Sequence, residues 1–202
     1  MIDKHYKLIL GVMFTVMTLV LFASIAYGLP NVKEGREVYI TGEINKSVYD
    51  TIKVLKTLDR DKGDIRIYLD SFGGSVFYGM SLANTIRSLK NDVQIVVMRG
   101  AYSMAATLTV CGTKGKRAMY ENAELFIHDC NINFMGVLST EDMKEVLEMM
   151  EKVNEEFYVL YAERTTAPYY LIKEWCQEET DLSSESCLAF GFVDEVIEFR
   201  ND

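Results

Sequence analysis

The fold class of this chain follows most directly from residues 93–110, whose sequence is VQIVVMRGAYSMAATLTV. Residues 93–98 are apolar apart from one glutamine, which is typical of a strand in a parallel sheet covered on both faces. Residues 104–110 have the character of a short helix. Ser103 lies between the two segments. The stretch therefore predicts a strand that passes into a helix at a serine.

Strand-like and helix-like segments alternate along most of the chain on both sides of this stretch. The predicted strands cover residues 38–40, 65–69, 93–98, 118–128 and 193–199. The predicted helices cover residues 47–58, 76–89, 104–110 and 141–164, the last with apolar residues recurring every three or four positions. This alternation predicts an α/β fold with a largely parallel sheet flanked by helices, in one domain over residues 36–200.

The composition excludes several classes of function. The chain has 202 residues and a net charge of −9, whereas binding to nucleic acid requires a basic surface. It has four cysteines and two histidines but no Cys-x-x-Cys pair, so we expect no zinc site and no cofactor. The cysteines are either buried thiols or, if the domain lies outside the cytoplasm, partners in disulfides.

Residues 8–29 carry no charge and, as a helix, would measure roughly 33 Å, enough to cross a bilayer core of about 30 Å. Lys4 and Lys7 precede them, which favours a cytoplasmic N-terminus and an extracytoplasmic domain. We therefore expect residues 1–30 to be a single-pass membrane anchor. A cleaved signal peptide, which would leave the domain secreted, and a buried core helix are the alternatives.

Three features of the domain together suit acyl transfer. Ser103 is a potential nucleophile, and His128 is the only imidazole beyond the N-terminal apolar segment. Residues 73–74 are a glycine pair between a strand and a helix, where backbone N–H groups can approach an oxygen atom. Each feature also has an ordinary explanation, because serines cap helices, glycine pairs form turns, and histidines occupy cores.

Several short motifs carry a resemblance to one family. They are SFGGSV at residues 71–76, AYSMA at 101–105, GTKGKR at 112–117, FIH at 126–128 and FGFVD at 190–194. In this order they resemble the proteolytic subunit of the Clp protease, ClpP, whose nucleophile and base are also 25 residues apart. The resemblance covers residues 36–200 and implies a ClpP/crotonase-like fold.

The resemblance implies a serine endopeptidase. Ser103 would attack the peptide carbonyl, and His128 would move the proton. The N–H groups of Gly74 and Met104 would form the oxyanion hole. The resemblance also implies that some residues contact the substrate. We expect these to be Gly73, Asn131 and Phe134.

The third member of the triad has two candidates. Counting without gaps from the motif at 190–194, or from Tyr161, places the family's aspartate on Glu179. Asp181 lies two positions further on and is the alternative.

The resemblance also implies stacked heptameric rings that degrade peptides or unfolded chains delivered by an ATPase. An extracytoplasmic domain would have no access to such a partner. Two other functions stay open: a catalytically silent scaffold of the same fold, and a crotonase-type acyl-CoA enzyme, which needs an oxyanion hole but no serine–histidine pair.

Overall fold

The structure is a computed structural model that describes residues 29–132 and 136–200. The predicted anchor therefore lies almost wholly outside the described residues, as does Phe134. Within the described ranges, no helix combines the length and the apolar character that a membrane crossing requires. The N-terminal apolar helix and its separate unit, residues 1–30, stay predictions.

The described residues form seven strands and six helices. The strands are β1 (Glu37–Ile44), β2 (Ile65–Gly74), β3 (Val93–Tyr102), β4 (Arg117–Tyr120), β5 (Glu124–Ile127), β6 (Thr180–Ser183) and β7 (Glu195–Ile197). The helices are α1 (Val48–Leu58), α2 (Val76–Ser88), α3 (Met104–Val110), α4 (Thr140–Arg164), α5 (Tyr169–Gln177) and α6 (Ser184–Ala189).

In the described part of the chain the strands form one sheet, with the path β1-β2-β3-β4-β7 and every neighbouring pair parallel. β5 pairs in parallel with β3 and antiparallel with β6. The prediction of an α/β fold with a largely parallel sheet flanked by helices is therefore confirmed.

The chain between β3 and α4 departs from the prediction. The single extended segment predicted at residues 118–128 is wrong, because a turn closed by the Ala123 N–H and the Tyr120 carbonyl divides it into β4 and β5. The two strands then use different parts of β3: residues 95–97 pair with β4, and residues 100–102 pair with β5. This division brings the end of β5 to the end of β3.

Helix α3 is held in a fixed position against the sheet. All seven of its residues are buried, and it packs against both β2 and β3. A helix enclosed in this way has little freedom to tilt, since packed interiors resist displacement. The turn that joins β3 to α3, and hence Ser103, is therefore held in one place.

An ion pair between a buried arginine and a partly exposed aspartate joins the end of the chain to the sheet. Arg117, at the start of β4, donates from Nη2 to Asp194 Oδ1 at 2.6 Å and from Nε to Oδ2 at 2.8 Å. The Gly115 N–H also donates to Asp194 Oδ2, at 2.8 Å, and Arg117 Nη1 donates to the Arg164 carbonyl at 2.9 Å. One arginine thus connects β4, the residue before β7 and the last residue of α4.

Candidate active site

Ser103 occupies the turn between β3 and α3 with a strained backbone. Its φ is 57° and its ψ is −123°, a conformation that glycine adopts readily and other residues rarely do. Its N–H donates to the Phe126 carbonyl at 2.7 Å, which ties the turn to β5. Its side chain makes no capping hydrogen bond to α3. The hydroxyl is therefore not used as a helix cap.

The glycine pair is required by space as well as by backbone angle. Gly73 has φ 84°, and a Cβ there would lie 2.5 Å from the Tyr102 carbonyl oxygen and 2.8 Å from Ser103 Cβ. Gly74 has φ 146°, and its Cβ would lie 2.4 Å from the Ile44 carbonyl oxygen. Because no side chain separates them, the end of β2 packs directly against the Ser103 turn.

A second serine holds this loop in place. Ser71 is buried; its Oγ donates to the Gly42 carbonyl at 2.6 Å and accepts the Gly73 N–H at 3.1 Å. The Gly73 N–H is thereby occupied. This favours Gly74, rather than Gly73, as the residue whose N–H can serve a ligand.

His128 follows the last residue of β5. Its ring stacks on Phe126 with the centroids 5.2 Å apart, and its Nδ1 lies 3.3 Å from Asn131 Nδ2. The next two residues are tied down, since the Asp129 N–H donates to the Cys176 carbonyl at 3.1 Å. The Cys130 N–H donates to Asn154 Oδ1 at 2.7 Å.

One cavity of about 200 Å³ brings most of the predicted site residues together. Five of them line it: Ser103, His128, Gly74, Met104 and Asn131. The remaining lining residues are Val76, Thr107, Asp129, Cys130, Phe157 and Tyr161. Gly73 lies behind the wall, against Ser103, and Phe134 falls outside the described residues.

The two carboxylates proposed for the triad are not in the cavity wall. The antiparallel register pairs Phe126 with Asp181 and Ile127 with Thr180, so the next pair in line would set Glu179 opposite His128. Glu179 has φ 54° at the turn into β6. Across the described ranges, no hydrogen bond or ion pair joins His128 to either carboxylate.

The chain is similar to known proteins over most of its length. The family model described as Clp protease matches residues 28–200 of the chain. The chain belongs to the Clp protease family. Similar proteins include the ATP-dependent Clp protease proteolytic subunits of Streptococcus pyogenes serotypes M5 (strain Manfredo), M49 (strain NZ131) and M3 (strain SSI-1). Each is 32% identical over 167 residues, which cover 81% of this chain and 85% of the relative. The family resemblance inferred from the motifs is confirmed.

This member of the Clp protease family has two hydroxyls in the cavity wall that the sequence analysis missed. Thr107 Oγ1 and the Tyr161 hydroxyl lie 2.9 Å apart, and both residues are buried. Burial is the main factor that raises the pKa of Tyr161 above its ordinary value, so the phenol stays protonated. The sequence signal was faint, because Tyr161 served only as a reference for counting to residue 179 and nothing in the helical pattern singles out its hydroxyl.

A further polar contact lies one helical turn earlier on α4. The Tyr158 hydroxyl makes a short hydrogen bond to Asp129 Oδ1. Burial, followed by this bond and the charge of Asp129, raises the pKa of Tyr158. Asp129 is therefore held away from the neighbouring His128 ring and toward α4.

The thiols of this Clp protease family member are unpaired. All four cysteines are free, and Cys130 is the one that lines the cavity. Burial, with a smaller contribution from Asp129, raises the pKa of Cys130, so it is a poor nucleophile at neutral pH. No group of three or more His, Cys, Asp or Glu side chains in residues 29–132 and 136–200 is arranged to hold a metal ion.

Proposed function

We propose that this Clp protease family member is a serine endopeptidase with Ser103 as nucleophile and His128 as general base. The observation that carries the proposal is the shared cavity, whose wall includes the Ser103 and His128 side chains together with Gly74 and Met104. A strained backbone at Ser103 supports it, since such strain collects at functional positions.

The proposed chemistry proceeds through an acyl-enzyme. Ser103 Oγ attacks the carbonyl carbon while its proton passes to His128 Nε2. The carbonyl oxygen becomes an oxyanion that accepts hydrogen bonds from the N–H groups of Gly74 and Met104. The Met104 N–H suits this role because the first N–H groups of a helix have no intrahelical acceptor. The C–N bond then breaks, and the amine leaves with the proton from His128.

Water completes the reaction by the same route. It attacks the Ser103 ester as His128 takes its proton, and the acid product leaves when the proton returns to Ser103 Oγ. Both steps require an unprotonated Nε2, and therefore a proton on Nδ1 that an acceptor must hold. We propose Glu179 for this role, with Asp181 as the alternative. The β5–β6 register ends at Ile127 and Thr180, and its continuation by one pair would bring residue 179 opposite His128.

Labelling with a fluorophosphonate tests the nucleophile. The wild-type protein is expected to react covalently, and Ser103→Ala is expected not to react. Ser88→Ala, which changes an exposed serine at the end of α2, is the matched control and should label like the wild type. Equal labelling of the wild type and Ser103→Ala would contradict the proposal.

A catalytically silent scaffold is the second candidate function. It is favoured by one contact: His128 Nδ1 faces the Asn131 amide nitrogen, and not a carboxylate. An amide nitrogen donates hydrogen bonds, so it disfavours a proton on Nδ1 unless the amide turns over and presents Oδ1. Turnover of fluorogenic peptides well above a Ser103→Ala control would exclude this candidate.

We further propose assembly with copies of itself and membrane attachment through residues 8–29. Exposed aromatic side chains on the described surface support assembly, since Phe72 is 80%, Phe77 70% and Tyr39 61% exposed. The relatives are named subunits of an ATP-dependent protease, which supports an ATPase partner only if the domain is cytoplasmic. Native mass spectrometry should give a multiple of 23.1 kDa, and a monomer would contradict assembly.

A further inference from the structure

The cavity beside Ser103 holds a hydrogen-bond donor that residues 29–132 and 136–200 do not use. Thr107 is 2% exposed, Tyr161 is 3% exposed, and their hydroxyls lie 2.9 Å apart. Two hydroxyls carry two protons, and the bond between them uses one. No other hydrogen bond joins either hydroxyl to the described part of the chain. One O–H is therefore left for an acceptor that enters the cavity.

An unused acceptor lies close to this donor. Asp129 also lines the cavity, and its Oδ1 is occupied by the Tyr158 hydroxyl, which leaves Oδ2. Tyr158 and Tyr161 are three residues apart on α4, and residues at this spacing lie on the same face of a helix. The two tyrosines therefore lie on the same side of α4, and Thr107, Asp129 and Tyr161 all line the cavity.

The cavity wall also has apolar side chains. Val76, Met104 and Phe157 line the same cavity as the hydroxyl pair and Asp129. Methylene groups can pack against these side chains, while a polar end group reaches the hydroxyl and the carboxylate. The cavity thus offers a hydrogen-bond donor, a hydrogen-bond acceptor and apolar side chains. Together these complement a side chain that has methylene groups and ends in a carboxamide.

We propose that this cavity binds the residue on the acyl side of the scissile bond and selects glutamine. The inference rests on the proposed peptidase function. The carboxamide oxygen accepts the spare O–H of the Thr107–Tyr161 pair, and the amide nitrogen donates to Asp129. Leucine would fill the same space but leave both polar groups unpaired, and a buried unpaired polar group carries a penalty. Glutamate would set a second negative charge beside Asp129.

Three fluorogenic peptides that differ only in this residue test the proposal. We expect kcat/KM of the wild-type protein to be at least about 10-fold higher for glutamine than for leucine, since one hydrogen bond alone corresponds to roughly 10-fold and glutamine makes two. We expect the glutamate peptide to be cleaved more slowly than either. The ratio between substrates is the readout, so a change in the amount of folded protein cancels.

Two variants test the contributions of the hydroxyl pair and of the Asp129 carboxylate separately. The double variant Thr107→Val/Tyr161→Phe removes both hydroxyls and should lower the glutamine-to-leucine ratio by roughly 10-fold, while the contact with Asp129 is kept. Both hydroxyls must be changed, because either one alone still offers a proton. Asp129→Asn should raise the glutamate-to-glutamine ratio, since it removes the repelling charge. Tyr170→Phe, on an exposed tyrosine of α5, is the matched control and should keep the wild-type ratios.

The outcomes distinguish this inference from the proposed function. A wild-type protein that reacts with fluorophosphonate and cleaves leucine peptides as well as glutamine peptides would overturn the specificity alone. A glutamine preference that survives undiminished in the double variant would do the same. If the wild type neither reacts with the probe nor cleaves any of the three peptides, the peptidase proposal fails and the specificity fails with it.

Discussion

At Gly73, an experiment can separate the effect of steric crowding from the effect of the backbone angle. Gly73 and Gly115 have the same φ, 84°, but a Cβ at Gly115 would meet nothing within 4 Å. At Gly73 it would meet the turn that carries Ser103. Gly115→Ala should therefore cost only the backbone strain, about 1–2 kcal/mol.

Gly73→Ala is expected to lose more than this strain. The Cβ would force the Ser103 turn to move, so the rate of fluorophosphonate labelling should fall more than 10-fold, since small misplacements of reacting groups are costly. Gly115→Ala should label at the wild-type rate. If Gly73→Ala labels as fast as Gly115→Ala, the close packing behind Ser103 is not needed for reactivity.

The two carboxylates near β6 are distinguished by a pair of isosteric changes. Glu179→Gln should reduce kcat more than Asp181→Asn, because continuing the β5–β6 register by one pair would set residue 179 opposite His128. Loss of a triad carboxylate elsewhere reduces kcat by about 10⁴-fold, which is the upper limit expected here. Small and equal losses in peptide turnover would indicate a Ser103–His128 dyad.

Much of the residue-level geometry could be predicted, and the parts that could not share a cause. The placement of Ser103 and His128 in one cavity could be predicted, because their types are rare or reactive and they lie at the ends of apolar strands. Thr107 and Tyr161 were not found, because on a helix they look like ordinary buried positions and only tertiary packing brings their hydroxyls together. The contact of Asn131 with His128 depends on a loop, which sequence periodicity does not describe.

At the scale of elements, the Arg117–Asp194 pair should contribute measurably to stability. Burial alone would raise the pKa of Asp194, but its hydrogen bonds and ion pair with Arg117, with help from the Gly115 N–H, hold it below the ordinary value of 3.8. Asp194→Asn leaves the nearly buried Arg117 without its counter-charge. Because the Asp194 side chain is partly exposed, the free energy of unfolding at pH 7 should fall by about 2 kcal/mol, the value of the lost charge-assisted hydrogen bonds.

The stability that Asp194 contributes depends on pH in the direction set by its lowered pKa. A carboxylate with a lowered pKa stabilises the fold above its unfolded pKa, and that stability is lost as pH falls through its folded pKa. Urea unfolding at pH 7 and at pH 3 should therefore show a smaller difference between wild type and Asp194→Asn at pH 3. Asp50→Asn, in an exposed pair with Lys53, should change unfolding little at either pH. A difference that grows toward pH 3 would contradict the assignment.

The strands and helices divide into those with a clear sequence period and those without. The apolar run of β3 and the repeat of α4 were sufficient to predict both elements. β6 was missed because its four residues are mostly polar and only Leu182 is buried. Its extended form comes from pairing with β5, and α5 and α6 on either side of it are short and have few buried residues.

At the scale of the whole molecule, the proposed membrane attachment predicts on which side of a membrane the domain would lie, and this is open to a direct test. We expect a fluorophosphonate that cannot cross membranes to label the protein on intact cells, because Lys4 and Lys7 favour a cytoplasmic N-terminus. A permeant probe of the same reactivity is the control for total reactive protein. Labelling by the permeant probe alone would indicate a cytoplasmic domain and make an ATPase partner possible.

The strained backbone at Ser103 has a consequence for anyone who wants to capture a bound substrate. Alanine at this position removes the hydroxyl but keeps the unfavourable φ of 57°, whereas glycine removes the hydroxyl and relaxes the main chain. Ser103→Gly should therefore melt at a higher temperature than Ser103→Ala, with both inert toward peptides. The more robust of the two inactive proteins is the one to crystallise with an intact peptide.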